Sequence, residues 1–259
     1  DVVTNNSPID IDKLIEGTNE ILSANRNSLQ LFDMLHSMRQ FDDLTYVHSV
    51  NVALIASILG QWLKFSEKDI RILTISGLLH DIGKIMIPNE ILTKPGKLTV
   101  AEYNIMKQHV NFGYEKVKNQ NIDIRIKEAC LLHHEKCDGT GYPFGLKSDQ
   151  IPAVAKIIAI ADVYDAMTSA RVYRGALCPF EVIDTMYKDA FTKFEPEYIL
   201  PFLKNVASSY INNDVRLSDG RIGRVVLINE NALSLPIVQC EDEFIDLSKT
   251  RGLTVSAIL

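Results

Sequence analysis

The hydrophobic pattern changes its period near residue 212, and this change constrains the fold more than any other feature of the sequence. Before residue 211, apolar residues recur at helical spacing. The clearest predicted buried face is marked by Val47, Val50, Ala53, Leu54, Ala56, Ser57 and Ile58. After residue 212 the apolar residues alternate, as in strands, around turns at Asp219-Gly220 and 229–231. We therefore predict a mainly α fold with a small C-terminal β module.

Residues that are typical of helix ends support the prediction of individual helices. Ser66 with Asp69, and Thr99 with Glu102, have the spacing of side-chain caps that open helices. Pro196 is expected as the first residue of a late helix running toward residue 210. Neither a βαβ rhythm nor a GxxxxGK phosphate loop occurs, so the helical part is predicted to be all-α.

Three zones follow from these patterns. Residues 1–40 are expected to form a helical segment that connects domains or pairs two copies of the chain. Residues 41–211 are expected to form an all-helical domain. Residues 212–259 are expected to form an accessory β-barrel or meander, with strands at 233–238 and 244–247 among others.

Composition narrows the functional class. The chain is 46% hydrophobic and 23% charged, which is typical of a folded globular protein. A net charge of −6 argues against a broad duplex nucleic-acid surface. Four isolated cysteines indicate a reducing, cytoplasmic compartment, and no run of 18 apolar residues predicts a membrane span. The sequence begins at Asp1 without a signal-peptide pattern, so we expect a fragment of a longer protein with an upstream sensory domain.

Histidines and carboxylates carry the functional signal. They occur as an HD doublet, an HH doublet and single residues on separate predicted helices: His48, His80, Asp81, His109, His133 and His134. Imidazole and carboxylate without thiolate suit Fe, Mn, Ni, Co or Zn. Asp162 lies in an apolar helical run, where an unpaired carboxylate would cost several kcal/mol, so it needs a cation. An ion pair with Arg171 or Lys156 is the alternative.

The residues around the HD doublet add detail. Gly83 is expected to permit an abrupt turn after the helix that ends at Leu79. Lys84 is expected to place an ammonium group one helical turn beyond Asp81.

Long motifs in order make the chain resemble the HD-GYP family, bacterial phosphodiesterases of the HD superfamily. They are HDIGK from His80, KIMIP from Lys84, ILTKPGKL from Ile91, HHEKCDGTGYP from His133 and DVYDAMTSARVYR from Asp162. The resemblance covers roughly residues 41–205. It implies an HD-type helical core, a centre of two or three metals, and hydrolysis of cyclic di-GMP.

Carried over by position, the resemblance assigns site residues. The metal ligands would be His48, His80, Asp81, His109, His133, His134 and Asp162, with Asp81 bridging two metals. Lys84 would lie near the scissile phosphate. Gly141, Tyr142 and Pro143 would border the substrate pocket, and Arg171 and Arg174 would hold phosphate or guanine.

One departure concerns the number of metals. Some family members carry Glu four residues before the first histidine, where this chain has Leu44. Asp43 is rotated by about 100° from that position and cannot simply replace it. We therefore expect two metals, although Asp165, one turn after Asp162, leaves a third position open.

The predicted chemistry is phosphodiester hydrolysis by a water activated between two divalent transition-metal ions, iron or manganese first, with zinc, nickel or cobalt as alternatives. Lys84 would stabilise charge, and Glu135 would orient a ligand imidazole. The product, pGpG or GMP, is left open. Two alternatives also remain: a hydrolase of a hybrid cyclic GMP-AMP, and a catalytically silent module that binds cyclic dinucleotides.

Overall fold

The structure, a computed structural model, describes residues 44–169 and 177–259, with the side chains from residue 47 onward. Its described residues fall into two compact units, one made of residues 44–165 with Thr192–Glu195, and the other of residues 166–169 and 177–191 with Pro196–Leu259. The predicted helix within residues 1–40 lies outside the described part of the chain. The functional boundaries expected at residues 40 and 211 stay predictions.

The first unit is helical. Its α-helices are α1 Leu44–Trp62, α2 Glu67–Leu79, α3 Asn89–Leu92, α4 Val100–Met106, α5 His109–Val117, α6 Ile124–Leu132 and α7 Ala153–Thr168, the last of which continues past residue 165. Short 3-10 turns cover Ile82–Met86 and Ser148–Gln150. Helix α2 packs against α1 and α6, and α5 packs against α6 and the first 3-10 turn.

Helix α1 is the centre of this packing. Every residue from 50 to 60 is buried, whereas Val47 is half-buried. The prediction of a single buried face was therefore too narrow, because the helix is apolar on all sides and enclosed by its neighbours. His48 lies at the edge of this buried stretch, so a polar group enters the interior there.

The predicted caps are confirmed. Ser66 Oγ accepts a hydrogen bond from the Asp69 backbone N–H at 3.2 Å and opens α2. Thr99 and Glu102 form a reciprocal capping box at the start of α4. These local bonds satisfy helix-end amides without help from distant residues, which is why sequence spacing alone could predict them.

The second unit combines two helices with a five-stranded antiparallel sheet. The elements are α8 Pro179–Asp189, α9 Pro196–Ser209, β1 Asp214–Leu217, β2 Ile222–Leu227, β3 Ile237–Cys240, β4 Glu243–Asp246, a 3-10 turn Leu247–Lys249 and β5 Val255–Ile258. The strand order is β4-β3-β2-β1-β5. Val225 is opposite Val238, and both are buried, as are Val215 and Leu217 on β1. The fold class, mainly α with a small C-terminal β module, is confirmed.

Two features of the sheet differ from the prediction. The strand expected from residue 233 begins only at Ile237, because Pro236 has no N–H to donate to a ladder. Strand β5 was not predicted; it is short and pairs with β1, which lies about 40 residues earlier in the chain, with Val215 opposite Ile258. The turn at Asp219-Gly220 is confirmed, with the Gly220 N–H donating to the Leu217 carbonyl oxygen at 3.0 Å.

Two absences hold for the described residues. None of their helices is long and apolar enough to span a membrane. Their four cysteines are all free thiols, with Cys130 and Cys240 buried.

Candidate metal centre

The predicted ligands lie mostly at helix ends that converge in the first unit. His80 caps the C-terminus of α2, Asp81 opens the following 3-10 turn, and His109 is the first residue of α5. His133 caps the C-terminus of α6, and His134 follows it. His48 and Asp162 project from the interior of α1 and α7. Short side chains at converging ends can meet without the helices crossing through one another.

All seven predicted ligands come together in two groups. Asp81, His109, His133 and His134 form one group, and His48, His80 and Asp162 form the other. Within each group, one potential ligand atom per residue lies within 4.8 Å of all the others. The arrangement can hold metal, and the role of each residue as a ligand stays a prediction.

Asp81 faces both groups with different oxygens. Its Oδ1 lies 3.3 Å from His109 Nε2 and 3.9 Å from His133 Nε2. Its Oδ2 lies 3.3 Å from His80 Nε2 and 3.6 Å from His48 Nε2. A carboxylate placed in this way can be shared by two cations, one on each side, which a histidine cannot do.

Backbone carbonyls orient three of the imidazoles. The Nδ1 atoms of His80, His109 and His133 each donate to a carbonyl oxygen three or four residues earlier, at 2.7–3.0 Å. Because a carbonyl can only accept, these rings carry their proton on Nδ1 when neutral and present the Nε2 lone pair to the centre. Such outer hydrogen bonds are usual for metal-binding histidines.

The buried polar atoms fit a bound cation. His109 Nε2 and His133 Nε2 are 3.4 Å apart with facing lone pairs. Burial lowers the pKa of both histidines, so both rings are neutral. His80 Nε2 and Asp81 Oδ1 are buried without a hydrogen-bond partner among the described residues. Leaving a buried hydrogen-bond acceptor unpaired costs about 1–3 kcal/mol of folding free energy. Bound cations would remove this cost, because these nitrogen and oxygen atoms can serve as metal ligands.

His48 is held differently. Its Nδ1 donates to Asp165 Oδ2 at 2.7 Å, and the Asn51 side-chain amide donates to Asp165 Oδ1 at 2.9 Å. Its Nε2 lies 3.1 Å from Asp162 Oδ1. Burial opposes the charged ring, but hydrogen bonds with Asp162 and Asp165 raise the pKa of His48 to about 9.

The position of Asp165 bears on the suggested third metal. Both of its carboxylate oxygens are hydrogen-bonded, one to His48 and one to Asn51, so the structure favours an orienting role for this residue. Sequence reasoning missed Asn51. Its spacing of three from His48 on one helix was the available signal, since residues i and i+3 share a face.

An ion pair with Lys156, one alternative to a bound cation at Asp162, is not formed. The Lys156 ammonium instead donates to Glu195 at 2.6 Å and to Ser148 Oγ at 2.9 Å. Arg171, the other proposed partner, lies outside the described residues. Burial opposes ionisation of Asp162, yet its hydrogen bond with His48 and nearby histidine charge hold its pKa below its usual range.

Gly83 lies in the turn that was expected after α2, and its missing side chain also permits a close approach between two segments. Its backbone φ is not in the left-handed region, and it lies within the 3-10 turn. A Cβ at this position would collide with the His109 carbonyl oxygen and the Gly113 backbone nitrogen. Gly83 is therefore required for the close approach of α5, which brings His109 to Asp81.

Lys84 reaches the centre as predicted. Its ammonium donates to Asp81 Oδ2, and its side chain is 26% exposed. Burial opposes ionisation of Asp81, but the positive charge of Lys84 and His80 holds the pKa of Asp81 well below its usual range. A partly exposed cation thus lies at the edge of the buried cluster.

The loop after the HH doublet is fixed by Glu135, which was predicted to orient an imidazole. That prediction was wrong. Glu135 Oε1 accepts from the N–H groups of Phe144 and Gly145 at 2.7 and 3.1 Å, and Oε2 accepts from Leu146 at 2.9 Å. A Cβ on Gly141 would lie 2.5 Å from the Glu135 Cα, so the loop also needs glycine there.

The loop places Tyr142 against the centre. Its ring stacks on the His134 ring, with centroids 4.7 Å apart and planes 25° apart. The Tyr142–Pro143 peptide bond is cis. Burial, with the negative charge of Asp162 and Asp81 among the smaller causes, raises the pKa of Tyr142 above its usual value, so its hydroxyl stays protonated.

Some predicted residues fall outside the described part of the chain. These are Arg171 and Arg174, together with the side chain of Leu44. Their expected roles stay predictions. Leu44 is the first residue of α1, four positions before His48 on the same helix. This is the spacing from which two metals were predicted.

A family model described as an HD domain matches residues 18–198, well over half of the chain. The chain belongs to the HD domain family. The HD-GYP resemblance is confirmed by its relatives, which include proteins named as cyclic di-GMP phosphodiesterases.

Curated relatives share the HD domain but are longer. The chain is 37% identical over 203 residues to "Cyclic di-GMP phosphodiesterase PA4108" of Pseudomonas aeruginosa, covering 78% of this chain and 49% of the relative. It is 37% identical over 173 residues to "3'3'-cGAMP-specific phosphodiesterase 1" of Vibrio cholerae, covering 66% and 38%. The chain thus spans half or less of the length of these relatives.

A solved structure has the same helical fold. Bd1817, an HDG"Y"P protein from Bdellovibrio bacteriovorus, aligns with a TM-score of 0.60 at 22% identity, covering 74% of this chain and 60% of that one. At this identity the likeness concerns the fold alone.

Proposed function

We propose that this chain is a metal-dependent phosphodiesterase that hydrolyses cyclic di-GMP. The observation that carries the proposal is the pair of His/Asp groups that meet at Asp81, one facing each carboxylate oxygen. Relatives of similar sequence are named as cyclic-dinucleotide phosphodiesterases, which supports the substrate class.

The two groups would hold two divalent cations, with Asp81 shared between them. When bound, such ions supply Lewis acidity toward phosphate oxygens and make water acidic enough to attack at neutral pH. Nitrogen and oxygen donors without thiolate suit iron or manganese, with zinc, nickel or cobalt as alternatives. Neutral His109 and His133, each with a free Nε2 lone pair, are in the protonation state that metal binding requires.

The remaining residues would bind and orient the substrate. Lys84, partly exposed beside Asp81, is placed to neutralise negative charge on a phosphodiester and to give a proton to the departing oxygen. Tyr142 presents a protonated hydroxyl and a ring at the edge of the centre. Arg171 and Arg174 would hold phosphate through bidentate hydrogen bonds.

We retain the domain plan as part of the proposal: a segment over 1–40, a catalytic domain over 41–211 and an accessory β module over 212–259. An upstream sensory domain, pairing of two copies through residues 1–40 and a cytoplasmic location belong to the same proposal. Each stays a prediction.

The test is turnover of cyclic di-GMP by protein reconstituted with Fe²⁺ or Mn²⁺ under reducing conditions, with products separated by chromatography. We expect hydrolysis to pGpG, GMP or both, and none in the Asp81→Ala variant. Asp149→Ala, which removes an exposed carboxylate from the same unit, is the matched control and should retain activity. Binding of cyclic di-GMP without any turnover would overturn the proposal and leave a silent binding module.

A second candidate substrate is 3′3′-cyclic GMP-AMP. The Vibrio cholerae relative named for that activity is as similar to this chain, at 37% identity, as the cyclic di-GMP enzyme. The same assay with both dinucleotides, compared by kcat/KM, decides between them.

A further inference from the structure

Lys107 lies between two tyrosine rings at the C-terminal end of α4. Its Nζ is 5.3 Å from the centroid of Tyr103 and 5.9 Å from the centroid of Tyr142. Tyr103 and Lys107 are four residues apart around the helix end, which places both side chains on one face. The third member, Tyr142, comes from the loop after the HH doublet, so the cluster forms only in the folded chain.

Tyr142 connects this cluster to the candidate metal centre. One ring neighbour of Tyr142 is His134, stacked at 4.7 Å, and another is His109, edge-on at 6.5 Å. Lys107 therefore lies one aromatic ring away from two of the predicted metal ligands. A substrate bound at the metals and extending past Tyr142 would meet the Lys107 ammonium.

Lys107 forms no ion pair with a described residue, and its charge contacts only the two tyrosine rings there. Lys84 is paired with Asp81 and Lys94 with Glu102, whereas Lys107 has no carboxylate within ion-pair distance in the described ranges. Tyr103 is 48% exposed, although a tyrosine ring is largely apolar. An ammonium beside an accessible aromatic ring, here that of Tyr103, is suited to a flat, polar-edged ligand, which packs against the ring and accepts hydrogen bonds at its edge.

We propose that Lys107, Tyr103 and Tyr142 form a guanine-binding subsite in which Lys107 donates hydrogen bonds to O6 and N7 of one base of the dinucleotide. This inference rests on the proposed function. On the edge of the base that carries N7, guanine presents two adjacent acceptors, N7 and O6. Adenine presents there one acceptor, N7, and one donor, its N6 amino group. Because an ammonium only donates, Lys107 favours guanine over adenine.

A phosphate contact is the competing role for Lys107, and the surroundings favour the base. Lys84 already places a cation beside Asp81, where the scissile phosphate would bind. Lys107 instead lies beside two tyrosine rings, and the exposed ring of Tyr103 offers packing to a purine and nothing comparable to a phosphate.

The test compares binding of GMP and AMP, which share ribose and phosphate and differ only in the base. Isothermal titration calorimetry is run on the full chain and on Lys107→Met, which keeps the apolar stem and removes the charge. We expect the parent to prefer GMP. The variant should bind GMP about tenfold more weakly and bind AMP as before. Lys97→Met removes an exposed lysine from the same unit and should bind both nucleotides like the parent.

Lys107→Arg is the second variant, since guanidinium also donates to O6 and N7, and it should keep the preference for GMP. Equal losses for GMP and AMP in Lys107→Met would show a phosphate contact and overturn the inference. So would a parent without preference, or a Lys107→Met variant that binds like Lys97→Met. A parent that binds GMP selectively but hydrolyses no cyclic dinucleotide would refute the proposed function while supporting this subsite.

Discussion

Replacing Glu135 with glutamine should release the loop that carries Tyr142 while leaving the shape of the side chain nearly unchanged. Glu135 is 4% exposed, and its carboxylate accepts hydrogen bonds from three backbone N–H groups, those of Phe144, Gly145 and Leu146. Glutamine keeps one acceptor oxygen, so one N–H faces another donor and the other two bonds lose their ionic partner. A hydrogen bond to a charged group contributes about 1–1.5 kcal/mol more than a neutral one, and a lost acceptor costs at least as much.

Water can reach part of this loop, because Phe144 is 63% exposed, and it can replace some of what is lost. We therefore expect the loop to open more easily by about 2 kcal/mol. Hydrogen exchange of the amides at 144–146 should speed up by about 30-fold. KM for cyclic di-GMP should rise while metal content stays that of the parent, since Glu135 is not a predicted ligand.

The control is Glu90→Gln, because Glu90 is exposed and its carboxylate has no hydrogen-bond partner among the described residues. The Glu90→Gln variant should match the parent in the rate of hydrogen exchange at 144–146 and in KM for cyclic di-GMP. If the amides at 144–146 exchange as slowly in Glu135→Gln as in Glu90→Gln, the three hydrogen bonds do not hold the loop and the reasoning is refuted.

The remaining predictions concern metal content and pH. Asp81→Ala should lose metal from both groups, as measured by elemental analysis, because each oxygen faces one of them; full occupancy in this variant would exclude a bridging role. The parent should hold two metal ions per chain, and Leu44→Glu should raise that number, because Glu at i−4 shares a helix face with His48; three ions in the parent would contradict the two-metal expectation. Hydrogen bonds from Lys156 and Ser148 lower the pKa of Glu195, so the stability they contribute is present above the unfolded pKa of about 4.3 and is lost as pH falls through the folded pKa. The urea midpoint of unfolding should therefore fall less steeply below pH 5 in Glu195→Gln than in the parent. If the midpoints of both proteins fall in parallel with pH, the hydrogen bonds to Glu195 do not contribute this stability.

Local spacing was sufficient to predict the helix caps. The side chains of Ser66 and Thr99 accept hydrogen bonds from backbone amides three residues away. Both partners of each cap are therefore visible in a short stretch of sequence. Buried histidines and carboxylates on apolar helices have few stable outcomes other than a bound cation. All seven predicted ligands accordingly come together, and the change of hydrophobic period correctly marked the β module.

The tertiary structure decided what each residue near the site contacts. Gly83 was expected only to permit a turn, which it does, and the structure adds that the backbone of α5 lies against it. Glu135 was expected to touch an imidazole, but it holds the backbone amides of residues that follow it by nine to eleven positions. The carboxylate of Asp165 meets His48 across 117 residues of sequence.

These outcomes have one physical origin. Which chemistry a chain can support follows from residue types and from the free-energy cost of burying them, both of which are readable in the sequence. Which atom pairs with which follows from how closely helices approach, and that distance is set by packing between segments far apart in the chain. The sequence therefore determined the fold class and the residue types from which the candidate ligands were predicted. Only the tertiary structure determined the hydrogen bonds that orient these side chains and the rings that lie beside Lys107.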